Sequence, residues 1–164
     1  RAAEGGDPEA FEFPRVWLRG SQGERNYDFS FSGLKTAVLR TVESLVPGYQ
    51  PDMALPDGVP VADLAASFQA AVVDVLVGKT VRAAEAYEAT EIFIAGGVSA
   101  NQLLRGELIR RAARPVRVPP LALCTDNAAM IAAAGHFRFV HGQRDALDFD
   151  VRPTWPLAEM VREG

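Results

Sequence analysis

The stretch Glu91-Ile92-Phe93-Ile94-Ala95-Gly96-Gly97-Val98-Ser99-Ala100-Asn101-Gln102-Leu103-Leu104-Arg105 decides the fold class. Ile92 to Ala95 run without polar alternation, which predicts a fully buried strand of an α/β layer. Gly96 and Gly97 then remove the Cβ atoms that would hold a ligand off the backbone, and glycine tolerates positive φ at little cost. Asn101 stands where it can cap a helix beginning near Gln102, whose first N–H groups would point back toward the glycines and suit an anion. The same residues also fit an ordinary strand-to-helix turn, because a lone Gly-Gly is a weak signal.

Moving outward, Leu123 to Gly135 opens a second helix with Thr125-Asp126-Asn127 as its punctuation. Asp126 would lie in the positive end of the helix dipole as a cap, a metal ligand, or both. Val116 to Val118 predicts a short strand stopped by Pro119-Pro120. Upstream, Val61 to about Tyr87 predicts the longest helix, with Leu64, Phe68, Val72, Val75 and Leu76 facing inward. Ser32 is expected to cap a helix from about Gly33 to Val46, with Leu34, Val38, Val42 and Leu45 on its apolar face. Phe11 to Leu18 and Tyr27 to Phe31 suggest a hairpin. Residues 47–60, with prolines at 47, 51, 56 and 60, read as an exposed linker within one domain spanning 1–164. Arg1 to Pro14 reads as a lead that is loose or packed on a segment outside this chain. The order of elements fits an α/β layer with parallel strands, in which a ligand sits at the carboxyl ends of the strands; Gly96 and Asp126 both fall there.

Composition is that of an ordinary globular domain, with 48% hydrophobic and 23% charged residues over 164 positions. The apolar run Ala70 to Val77 is interrupted by Asp74 and is too short to span a bilayer. Cys124 is the only cysteine, so no internal disulfide forms, and it reads as a buried inert thiol. A net charge of −4 argues against a general nucleic-acid surface. Arg105, Arg110, Arg111, Arg114 and Arg117 nevertheless cluster around one helix and strand, either to touch a nucleic acid or an acidic partner protein or as a solvated face. Gly33-Leu34-Lys35-Thr36 is not a phosphate-binding P-loop, since Leu34 separates the glycine from the lysine. Ser30, Ser32, Ser67 and Ser99 show no histidine partner for nucleophilic catalysis.

Three motifs in order, Asp28 to Thr36, Gly96 to Arg105 and Cys124 to Ala132, resemble the C-terminal half of the universal tRNA threonylcarbamoyladenosine transferase family. The resemblance runs from Arg1 to about Pro156. It implies one lobe of an actin-like, Hsp70-type ATPase fold, a mixed sheet with helices packed on its faces. It further implies transfer of a threonylcarbamoyl group from threonylcarbamoyl-AMP to N6 of the adenosine beside the anticodon, in tRNAs reading codons that begin with A. By motif position, Gly96 and Gly97 match the family's phosphate loop, Asn101 its nucleotide-contacting residue and Asp126 a metal ligand. One divalent ion, Fe(2+) or Zn(2+), would be shared with two histidines of an N-terminal half. Implied partners are tRNA, the adenylate or another adenine nucleotide, and further subunits of the transfer complex, in the cytoplasm and without a membrane.

The family's His-x-x-x-His pair is not matched. His136 and His141 are five apart, which places them roughly 140° apart around a helix. Together with an opening Arg1 where a gene product begins with Met, this suggests part of a longer enzyme, inactive by itself. The alternatives are a sugar or acid kinase of the same ATPase superfamily, and a lobe that only docks partners.

Overall fold

The computed structural model describes residues 1–17, 26–148, 150 and 154. The chain divides into two compact units, Arg1–Cys124 and Thr125–Gly164. The described residues are mostly helical: α1 (Ser32–Leu45), α2 (Val61–Ala86), β1 (Ile92–Phe93), α3 (Gln102–Arg111), β2 (Val116–Arg117) and α4 (Ala128–Val140) follow in order, with 3-10 turns at Gly97–Ala100 and Leu121–Leu123.

Helix α2 organises the first unit. Its C-terminal half packs with β1 and α3 through Val73, Val77, Ala84, Ile92, Leu104 and Leu108. Its N-terminal half packs with α1 through Leu64, Ala71, Leu34, Val42 and Phe13. Burial of this kind stabilises by about 25 cal/mol per Å² of apolar surface removed from water. By length and composition α2 would also pass for a membrane span, but its apolar side chains here form the shared wall of both clusters. The expected inward stripe holds at Leu64 and Val75, while Phe68 is exposed. The helix ends with Ala89 N donating to Ala84 O and Glu88 at φ 50°, a left-handed C-terminal cap occupied by glutamate in place of glycine.

The sheet is smaller than its sequence suggested. β1 and β2 pair in parallel with Ile92 opposite Val116 and Phe93 opposite Arg117, and Ile94 N still donates to Arg117 O at 3.2 Å. Ile92 is buried, but Phe93 is 74% exposed, so the expected fully buried strand from Ile92 to Ala95 is a two-residue strand covered on the α2 side alone. Among the described residues no mixed sheet forms.

The expected hairpin is also absent among the described residues, Leu18 itself lying outside them. Residues 11–17 and 26–31 hold no strand. Instead Phe13 is drawn into the α1–α2 core, Phe11 N donates to Ser67 Oγ at 3.1 Å, and Arg15 pairs with Asp74 at 2.9 Å. These contacts hold residues 11–15 against α2, and the lead before them is anchored too, with Asp7 N donating to Asp63 Oδ1. Ser32 does not cap α1. Phe31 occupies the cap position without a side-chain bond, and Ser32 is the first helical residue, its carbonyl accepting from Thr36 Oγ1. Leu45 is exposed. The proline-rich segment 47–60 is mainly exposed as expected, but Tyr49, Leu55 and Val59 tether it to the α1–α2 core.

Candidate functional site

At the end of β1 the chain turns at Gly96, where φ is 80° and ψ 170°. This is a conformation that L side chains rarely adopt, so the glycine is required by backbone geometry. Gly97 has no positive φ and starts a 3-10 turn, Gly97–Ala100, that separates the glycines from α3. The turn is fastened from below. Ser99, 1% exposed, donates from Oγ and from N to Gly96 O at 2.6 and 3.0 Å. Arg105 donates from Nε to Ser99 O and lies 3.8 Å from Cys124 Sγ. The N–H groups of Gly97 and Val98 precede the first i→i+3 bond of the turn and have no acceptor within it. Around both glycines the space is open: a Cβ built at either meets nothing within 4 Å.

Asn101 caps α3 as its position predicts, accepting from Leu104 N at Oδ1, 3.1 Å. Its Nδ2 donates to Gln69 Oε1 on α2, also at 3.1 Å. Both amides border a cavity of about 310 Å³ whose apolar walls include Phe68, Val72, Leu76 and Val98, and an adjoining more polar concavity of about 350 Å³ that reaches Arg1 and Glu4. Neither glycine lines that cavity; Val98 joins the loop to it. An apolar cleft with a few convergent polar groups is the usual form of a small-molecule site.

In the second unit Asp126 is exposed and makes no hydrogen bond or ion pair among the described residues. The cap of α4 is its neighbour Asn127, which accepts from Met130 N at 2.9 Å and donates to Thr125 O. Asp126 is therefore not the cap, and its carboxylate is available as an oxygen donor. Among the described residues no three of His, Cys, Asp and Glu gather as a metal site. His136 lies within α4, and His141 follows it as its C-cap, its Nδ1 against Phe137 O.

The arginine cluster is largely self-satisfied. Arg110 pairs with Glu107, Arg111 with Asp74 and Arg117 with Glu91. The hydrogen bond from Arg117, and then its charge, hold the Glu91 carboxyl below its ordinary value, as Arg110 does for Glu107. Arg114 alone is exposed and unpaired among the described residues. Ser67 and Ser99 spend their hydroxyls on backbone carbonyls, and Cys124 is buried against Pro119 and Pro120. Sequence reasoning overlooked Gln69, and it weighed Ser99 only as a nucleophile, not as the fastening of the glycine turn. Gln69 did carry a signal, as a lone carboxamide within the apolar run Ala65 to Val73.

A family model described as tRNA N6-adenosine threonylcarbamoyltransferase matches residues 1–133. The chain belongs to this family. Curated relatives of that name include one from Dehalococcoides mccartyi, 50% identical over 94% of this chain and 42% of its own length. Another from Thermomicrobium roseum is 50% identical over all of this chain and 47% of its own. A third from Bacillus cereus is 46% identical over 93% of this chain and 42% of its own. The chain thus spans less than half the length of these threonylcarbamoyltransferase relatives.

Proposed function

We propose that this chain is one lobe of a longer tRNA N6-adenosine threonylcarbamoyltransferase with an actin-like ATPase fold. The observation that carries the reading is the coincidence of the family match over residues 1–133 with the Asn101 cavity beside the Gly96–Gly97 turn. In this reading N6 of the tRNA adenosine attacks the carbonyl carbon of the threonylcarbamoyl group, AMP departs with the bond electrons, and the attacking nitrogen loses a proton. Asn101 holds the nucleotide portion through its amide. The Gly96–Gly97 turn leaves room for a phosphate against the N–H groups of Gly97 and Val98. Orienting the adenylate in this way lowers the entropic part of the barrier.

Asp126 would supply one oxygen ligand to a divalent ion, Fe(2+) or Zn(2+), completed by two histidines from outside this chain. Its exposed, unpaired carboxylate fits such a donor. When bound, the ion polarises or orients the carbonyl or phosphate group. The enzyme would act in the cytoplasm with tRNA and partner subunits. The self-paired arginines make the Arg105–Arg117 face a poor primary tRNA contact.

The test is transfer from threonylcarbamoyl-AMP to unmodified tRNA, read by mass spectrometry of the nucleosides. The complete protein with its partner subunits should form the modified nucleoside, and this chain alone should not. Phosphorylation of a sugar or carboxylic acid by the complete protein, without nucleoside modification, would favour a kinase. Turnover by this chain alone would overturn the division of the site between two lobes.

A further inference from the structure

We propose that Gln69 is a positioning residue for the ligand site, setting the direction in which Asn101 presents its amide; this rests on the reading of Asn101 as the ligand contact. A carboxamide offers two N–H donors and two acceptor lone pairs. The cap assigns one of each side: Oδ1 must face Leu104 N, which leaves Nδ2 facing away, and Gln69 Oε1 meets it at 3.1 Å from a helix 32 residues upstream in sequence. Held at both ends, the Asn101 amide cannot flip. Its second N–H and second lone pair are then fixed at the edge of the cavity that Asn101 and Gln69 both line.

Gln69 is itself half-buried, and its own NH2 makes no hydrogen bond among the described residues. Gln69 lines both the apolar cavity, beside Phe68 and Val72, and the more polar concavity that reaches Arg1 and Glu4. The cap bond does not involve Gln69. Removing Gln69 should therefore disturb the ligand contact and spare the helix.

The experiment measures ATP affinity by calorimetry, and melting, on the full-length protein that contains this chain. Gln69→Leu keeps the bulk and removes the acceptor, and should weaken ATP roughly five- to tenfold, the worth of one hydrogen bond, with melting unchanged. Gln69→Glu retains an acceptor toward Asn101 and should stay within about threefold of the parent. Asn101→Ser preserves a cap but is too short to reach Gln69, so it should weaken ATP by itself, and adding Gln69→Leu to it should weaken ATP no further. Parental affinity in Gln69→Leu, additive losses in the double variant, or a melting loss that Gln69→Glu fails to restore would overturn the positioning role and leave Asn101 as a contact. Parental affinity in Asn101→Ser would instead overturn the reading of the site itself.

Discussion

Helices α2 and α4 are both rich in alanine and other apolar residues, yet α2 buries ten residues, one of them a glycine, and α4 buries none. In α4 Met130, Ile131, Phe137, Phe139 and Val140 all stand exposed, although a helix apolar on every side is normally a buried one. The difference lies in the neighbours. α2 is bracketed within its own unit by α1, β1 and α3, whereas the described residues of Thr125–Gly164 offer α4 no second layer. Apolar composition states that a helix is made to be covered. It does not state that the cover lies nearby in the sequence.

The comparison breaks most visibly at the two cores. Leu108→Ala, at a side chain 3% exposed in the α2–α3 cluster, should cost about 2–5 kcal/mol in denaturant unfolding of this chain. Phe137→Ala, at 63% exposure in α4, should stay within about 0.5 kcal/mol. If the second loss matched the first, α4 would be covered in solution and the contrast between the helices would vanish.

The glycine pair sharpens the same contrast inside the well-packed unit. Gly96→Val forces a branched residue to φ 80° and should cost about 1–3 kcal/mol of stability. Gly97→Val meets neither positive φ nor a neighbouring atom, so melting should barely move. In the full-length protein it should still weaken adenine-nucleotide binding at least about tenfold, or about 1.4 kcal/mol, by filling the space a phosphate would use. Equal melting losses for the two variants would show that the positive φ at Gly96 is not what demands glycine.

What could be read from the sequence was what local signals carry. The start and stop of α2, the strand at Val116, the Asn101 cap and the turn at Gly96 each rest on start, stop or turn signals within their own short segments. The hairpin failed because Phe13 and Phe11 had a better use against α2 than a strand partner, a tertiary choice that alternation cannot reveal. Strand β1 kept its pattern but not its burial, since its second face has no cover among the described residues. The Asn101–Gln69 bond joins α2 to the start of α3 across 32 positions. No periodicity announces such a pairing; only the packing of the two helices does.

At the mouth of α4 the two adjacent polar residues should separate cleanly. Asn127→Ala removes the cap and should cost about 1 kcal/mol, detected as lost helicity or lower melting. Asp126→Asn should leave melting where it was, because Asn127 already satisfies Met130 N, while the full-length protein loses bound metal by elemental analysis and loses transfer activity. Retained metal in Asp126→Asn would remove Asp126 from the metal site.

The smallest effect belongs to the Glu91–Arg117 pair, which joins the residue before β1 to β2 at 2.7 Å. The hydrogen bond from Arg117 lowers the Glu91 pKa from its ordinary value of 4.5. A carboxyl whose folded pKa lies below its unfolded one binds protons more tightly when unfolded. Its stabilisation is therefore complete above about pH 4.5 and is lost as the pH falls through the lower folded value. The pair is exposed, so salt should screen it and its contribution at neutral pH should be slight. We expect Glu91→Gln to melt marginally below the parent at pH 7 in low salt, with the gap closing in high salt and again below the lowered pKa. A gap that widened toward acid would mean that Glu91 is held protonated in the folded chain, and the strand-end pairing with Arg117 would have to be abandoned.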